Sequence, residues 1–305
     1  MTVGASSRSA PGAAAAAVTI VFWGSAFAGI RAGLHSYTPA HLALLRFLAA
    51  SAALGVIAVI RGATGTGGPR GVRPASWRDV PLIGALGLLG FSFYNIALNT
   101  GELTVPAGPA ALLIQTLPIW TALAATFFLH ERLRPTGWLG IGVSFAGALL
   151  IALGKGSGFT LGWGAALILL ASISASAYNI LQKSMLSRYG PVELTTLAIW
   201  AGTILLLPFS GGLWAEMRVA APGDTLAVVF LGVGPAALAY VTWAVVLSRL
   251  PASRASSMLF MVPVVAFLVG WAWLGEAPSL IDVAGGVLAM GGVALVNARG
   301  RRPAK

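Results

Sequence analysis

Apolar residues in this chain gather into runs of helix length, separated by short stretches of Gly, Pro, Arg, Asp and Glu. Ten such runs are read near residues 13–34, 39–60, 80–100, 106–129, 135–153, 161–183, 192–210, 224–247, 254–274 and 280–298. A transmembrane helix needs about 20 mainly apolar residues, so ten helices use about 200 positions and leave about 100 for loops and tails. The pattern predicts an all-α integral membrane protein. The first run follows a lone Arg8, and Ala26-Phe27-Ala28 offers a small-x-small site like that of a signal peptide. It continues to Leu34, however, and nine more runs follow, so it is read as a span.

Composition agrees with the pattern. Of the 305 residues, 57% are apolar and 9% charged, against about 25% charged in soluble domains. There is no cysteine, which excludes disulfides, thiolate nucleophiles and cysteine-held metals. A net charge of +11 would raise the question of nucleic acid in a soluble protein. Here the basic residues follow the loops instead. Arg8, the 61–78 loop, Arg132 and Arg134, Lys183 and Arg188, Arg249 and Arg254, and the 299–305 tail lie on one side and hold 15 of the 19. Lys155 and Arg218 lie on the other. The bias predicts that both termini are cytoplasmic. The Gly-rich 61–78 loop lacks the spacing of a phosphate cradle and is read as a flexible basic linker.

Self-comparison gives the sharpest signal. At an offset of 145 positions Asp79 matches Asp224, Gly87 Gly232, Pro106-Ala107 Pro251-Ala252, Pro118 Pro263, Glu131 Glu276, Gly140 Gly285 and Gly147 Gly292. Upstream, an offset of 152 pairs Arg31 with Lys183, Tyr37 with Tyr189 and Pro39 with Pro191. The chain therefore reads as one five-helix unit written twice, over 1–154 and 161–298, with a basic tail at 299–305. Five is odd, so the second copy enters the bilayer from the opposite face. Two inverted five-helix repeats around a central cavity are a recurring plan of secondary transporters, which work by alternating access.

Trp23-Gly24-Ser25, Pro39 followed by Arg46-Phe47, Pro118 and Pro263 within spans, and the Glu131 and Glu276 turns ahead of Gly-rich final spans resemble the drug/metabolite transporter superfamily. The similarity is to its ten-span EamA-type exporters, which include bacterial amino-acid exporters. The resemblance implies a pair of EamA repeats, an inner-membrane location and efflux of small metabolites. The second copy departs from the first where Ala175-Ser176 stands for Trp23-Gly24 and Ala198 for Arg46.

Pro118 and Pro263 within spans are expected to kink the helix and free backbone carbonyls, which lipid tolerates only beside protein or a wet cavity. Neutral polar and aromatic residues at similar depth mark the expected lining: Trp23, Tyr94, Asn95, Gln115, Tyr178, Asn179, Gln182, Tyr240, Trp243 and Ser257. Their aromatic walls suit apolar or aromatic side chains and planar cations. Arg46, roughly 10 Å into its span at 1.5 Å per residue, either holds a substrate carboxylate or pairs with carbonyls and snorkels outward. Small residues four apart, Gly140, Ser144 and Ala148, with Gly285 and Ala289, predict close helix packing and leave homodimerisation through that face open.

All eight acidic residues fall in loops or near helix ends, none where a midplane proton relay needs it. The three histidines, His35, His41 and His130, are read as surface residues without ligand spacing. An enzyme is therefore not expected, nor a cofactor or metal. The expected function is inner-membrane export of amino acids and related small metabolites with broad specificity. Efflux of aromatic cations is the alternative cargo. A membrane-embedded lipid-modifying enzyme, using Asp79, Glu131 and His130, is the reading from another class. The expected partners are a small-molecule substrate and the lipid bilayer.

Overall fold

A computed structural model of the chain describes residues 10–65, 71–128, 135–153, 162–249 and 259–299, and among these every regular element is helical. In chain order they are α1 (Ala10–Gly33), α2 (Pro39–Ala63), α3 (Trp77–Gly101), α4 (Ala107–Ile114), α5 (Leu117–Phe128), α6 (Pro135–Leu153), α7 (Trp163–Met185), α8 (Pro191–Leu206), α9 (Leu213–Val219), α10 (Pro222–Arg249), α11 (Val262–Leu274) and α12 (Leu280–Arg299). Six helices are long and apolar enough to cross a membrane, namely α1 from Ala14, α2, α3, α7, α8 with its extension to Ser210, and α10. Three shorter apolar helices accompany them, within α6, α11 and α12.

Local chemistry sets the ends. Proline opens α2, α6, α8 and α10, where its missing N–H and fixed φ cost nothing. Glu193 Oε2 accepts from the Gly190 amide at 3.0 Å and closes the start of α8. At the start of α12, Ser279 and Asp282 exchange reciprocal bonds, the Asp282 amide to Ser279 Oγ at 3.1 Å and the Ser279 amide to Asp282 Oδ2 at 3.0 Å. Gly275, at φ +70°, ends α11 in a left-handed turn that favours glycine.

Two long helices change winding in their middle. α3 passes through a π-helical segment at Leu88–Ser92 and α10 through one at Gly232–Leu238. π-segments release carbonyls from the usual ladder, and side chains from elsewhere take them up: Ser174 Oγ donates to Leu89 at 2.7 Å and Trp23 Nε1 to Pro235 at 3.2 Å.

The span expected over 106–129 is not one helix. α4 ends at Ile114, Gln115 and Thr116 form a break, and α5 starts at Leu117 with Pro118 in its first turn. Pro263 likewise stands in the first turn of α11, after a 3-10 turn at Leu259–Met261. Neither proline bends a continuous helix; each lies where a new one begins. Residues 211–223, expected as loop, include α9, whose Glu216 Oε2 lies 2.8 Å from His41 Nδ1. His41 is buried there rather than at the surface.

The packing is close where small residues meet. α6 crosses α12 with Gly140 against Gly292, Ser144 against Ala289 and Gly147 against Gly285, so the two helices run antiparallel. A Cβ on Gly147 would lie 2.4 Å from the Ala289 amide nitrogen. α2 crosses α8 at Ser51 and Thr203, whose hydroxyls are 2.8 Å apart. α1 packs on α10 and α11, and α7 on α3, α4 and α5. α2 lies on the π-segment of α10 and α8 on that of α3. Val59, Ile204, Leu268 and Val287 face outward and exposed, as lipid-facing side chains do. Trp163, Trp214 and Trp271 are exposed near helix ends, the position of an interfacial belt.

Candidate functional site

A cavity lies where α1, α2, α3, α7 and α10 meet the α4–α5 break and the start of α11. Six of the expected residues line it: Trp23, Tyr94, Gln115, Tyr178, Asn179 and Tyr240. Three others stand one layer behind and fix the wall. Gln182 Nε2 donates to the Tyr178 hydroxyl at 2.8 Å, Trp243 Nε1 to Asn179 Oδ1 at 3.3 Å, and Asn95 Oδ1 accepts from Arg46 Nη1 at 2.9 Å. Ser257 lies outside the described residues, as do His130, Glu131, Lys155 and the 300–305 part of the tail.

The wall is an aromatic cluster. Trp23 meets Tyr240 edge-on at 5.1 Å between ring centroids and Trp243 at 5.5 Å. Phe91 lies 4.9 Å from Tyr240 and 5.4 Å from Tyr178. These separations are the favourable range for tilted and edge-to-face rings. Phe91, fully buried in the π-segment of α3, was not among the expected residues. Its residue type does not mark it, because a single Phe does not stand out among apolar residues and π winding shifts the helical period that would relate it to Tyr94 and Asn95.

The break between α4 and α5 touches the 3-10 turn that leads into α11. The Gln115 amide Nε2 donates to the Leu259 carbonyl, and both residues line the cavity. Ser172 Oγ takes the Ile114 carbonyl at 2.9 Å, so carbonyls freed at the break meet protein donors rather than hydrocarbon.

Arg46 gives the cavity its charge. Its side chain lines the wall, buried, with the guanidinium carbon 5.5 Å from the Phe47 ring centroid. Nη1 is held by Asn95, Nε is buried without a partner, and no carboxylate lies within ion-pair distance among the described residues. Among the described residues the site is thus apolar and aromatic, with one uncompensated cation. Among the described residues no group of His, Asp and Glu is arranged to hold a metal ion.

At one end of the bundle, Arg31, Glu102 and Glu276 form a knot. Arg31 Nε donates to Glu276 Oε1 at 3.0 Å and its Nη1 to the Glu102 carbonyl at 2.6 Å. The Ala107 amide, at the N-terminus of α4, donates to Glu276 Oε2 at 3.0 Å, a favourable place for a carboxylate. At the opposite end Asp79 accepts from Tyr189 at 2.8 Å and pairs with Arg188 at 2.9 Å. Glu102 itself is fully buried.

The model of the EamA-like transporter family matches residues 10–153 and again 162–298. The chain belongs to the EamA-like transporter family. A transporter of Bacillus subtilis (strain 168), YdfC, itself uncharacterized, is 44% identical over 275 residues, covering 90% of this chain and 87% of that one. A probable terminal-alkyne amino-acid exporter of Streptantibioticus cattleyicolor is 38% identical over 289 residues, 93% of each chain. A probable amino-acid metabolite efflux pump of Salmonella typhimurium is 27% identical, covering 91% of this chain and 92% of that one. A solved crystal structure superposes with a TM-score of 0.64 at 21% identity, covering 93% of this chain and 96% of its own, which supports the fold. An EamA-like membrane transporter accounts for the apolar helices.

Proposed function

We propose that this EamA-like transporter exports amino acids and related small metabolites across the inner membrane by alternating access, with broad specificity. The observation that carries the reading is the lone guanidinium of Arg46 in an aromatic cavity. A buried cation is costly unless an anion joins it, and a substrate carboxylate would be that anion. The apolar side chain would then lie against Trp23, Tyr178 and Tyr240. An aromatic cation, the alternative cargo, would meet like charge at the same wall. The names of the Streptantibioticus and Salmonella relatives support the substrate class.

The architecture we infer is two inverted five-helix repeats with both termini cytoplasmic, the Glu276 end outside and the Asp79 end inside. Swapping the halves exchanges the main packing pairs, α1 on α11 with α7 on α4 and α5, α1 on α10 with α7 on α3, and α2 on α10 with α8 on α3, which supports the inversion. Ser51 bonds Thr203, the position 152 later, and Ser144 bonds Ala289, the position 145 later, as residues beside a two-fold axis do. Asp79 pairs with Arg188, and its equivalent Asp224 accepts from Ser36, which is the equivalent of Arg188.

Counterflow of labelled amino acids into proteoliposomes tests the function. Uptake competed by other amino acids and not by the matching amines is expected; no uptake of any of the twenty would sink this substrate class.

A further inference from the structure

Among the described residues, Glu102 is the one acidic side chain to which nothing above gives a role. It follows the last turn of α3, on the stripe that includes Tyr94 and Leu98 eight and four residues earlier, and both of those line the cavity. Its carboxyl is fully buried and neither oxygen has a hydrogen-bond partner. Arg31, which could neutralise it, instead gives Nε to Glu276 and Nη1 to the Glu102 backbone carbonyl.

Among the described residues, the charged and titratable groups that face it are few. Arg31 comes from α1, Glu276 from the α11–α12 turn and Arg46 from α2, with Tyr94 on its own helix. α7 approaches the end of α3 through Gly164 and Ile168, neither of which titrates. An ionised carboxylate without a partner cannot be sustained in such a place; a neutral carboxyl can.

We propose that Glu102 is a proton-binding site whose occupancy is linked to closure of the Glu276 end. With that end closed, as here, the carboxyl holds a proton; when it opens, water reaches Glu102, the proton leaves to that water, and the carboxylate becomes available to Arg31 in place of Glu276. Burial pushes the closed-state carboxyl well above the usual carboxylate range, and Glu276 adds to this, while Arg31 and Arg46 pull the other way. The sign follows from linkage. A group whose pKa is raised in the closed state stabilises that state fully at pH below its open-state value, and this contribution is lost as pH rises through the closed-state value. Alkaline pH outside therefore opens the end and acid pH shuts it. The proposal rests on the orientation and alternating access inferred above, not on the identity of the substrate.

The test uses the native absence of cysteine. A single cysteine is placed at cavity-lining Ala26 (A26C), and its labelling by a membrane-impermeant maleimide is followed in right-side-out vesicles as external pH is raised. Rates are normalised to V219C, on an exposed residue of α9. The expected result is a severalfold rise with pH for A26C, and a flat profile at the low, acid rate when E102Q is added. In parallel, infrared spectra of the wild-type protein at neutral pH should show the carbonyl band of a protonated carboxyl, missing in E102Q. A wild-type profile independent of pH, the same rise in E102Q, or no such band would overturn the proposal. If E102Q fails to insert, the wild-type profile and band decide. Amino-acid counterflow is a separate measurement, so its failure would remove the substrate reading and leave this one standing.

Discussion

The balance at Arg46 decides how the cavity treats charge. Among the described residues its only side-chain hydrogen-bond partner is Asn95, which also donates Nδ2 to the Phe91 carbonyl at 2.9 Å; the amide is thereby fixed and the guanidinium aimed. A charge-assisted hydrogen bond contributes about 1.5–3 kcal/mol, so Arg46→Gln should raise the half-saturating amino-acid concentration in counterflow by roughly 10- to 100-fold. Arg46→Lys should recover only part of this, because a point charge does not reproduce the planar fork. The same variants should tolerate amines that the wild type rejects. Equal loss for amino acids and amines would show that Arg46 only holds helices together. The aromatic wall makes a second, independent prediction. Trp243 sets Asn179 from behind, so Trp243→Phe should lower selectivity among side chains without changing the preference for a carboxylate, measured by competition in the same assay.

At the scale of elements, the small-residue crossing of α6 and α12 leaves no room for a side chain. Gly147→Val would drive a Cβ into the α12 backbone and should abolish a cooperative thermal transition or lower its midpoint sharply. Gly142→Ala, on the same helix with nothing within 4 Å of the added carbon, should be neutral or stabilising by up to about 1 kcal/mol. The helices themselves were legible because lipid demands long apolar runs, and the positions of Trp23, Tyr178 and Tyr240 because polar or aromatic residues stand out in such runs. The break at Gln115 and Thr116 was not. A proline reads as a kink when the run around it is apolar throughout, and only tertiary partners, here Gln115 reaching Leu259 and Ser172 reaching Ile114, make ending one helix and starting another the cheaper arrangement. Glu102 does lie at a helix end, as expected, but its burial was not legible. Its position after Gly101 marks a helix end, and helix ends are ordinarily wet, but the meeting of α1, α4 and the α11–α12 turn covers this one.

For the whole molecule, alternating access requires that some contacts persist while others break, and the inferred two-fold axis says which. Ser51 with Thr203 and Ser144 with Ala289 lie where a residue meets its own equivalent, so rocking of one half against the other changes these distances least. Arg31 and Glu276 lie at the far end of the lever and must part for that end to open. Two cysteines can be introduced cleanly into a chain that has none. A cross-link between positions 51 and 203 should leave counterflow within about twofold of the uncross-linked protein, whereas a short bismaleimide between positions 31 and 276 should stop it, with reversal if the link is cleavable. The reverse pattern, an inert link at the end and a lethal one on the axis, would mean that the halves slide rather than rock. Single cysteines at positions 131 and 276 give the matching check on inversion: the first should react only with reagent inside the cell and the second only with reagent outside. Labelling of both from one side would break the argument at its root, because a parallel repeat would place Arg31 and its equivalent Lys183 on the same surface and leave no second end to open.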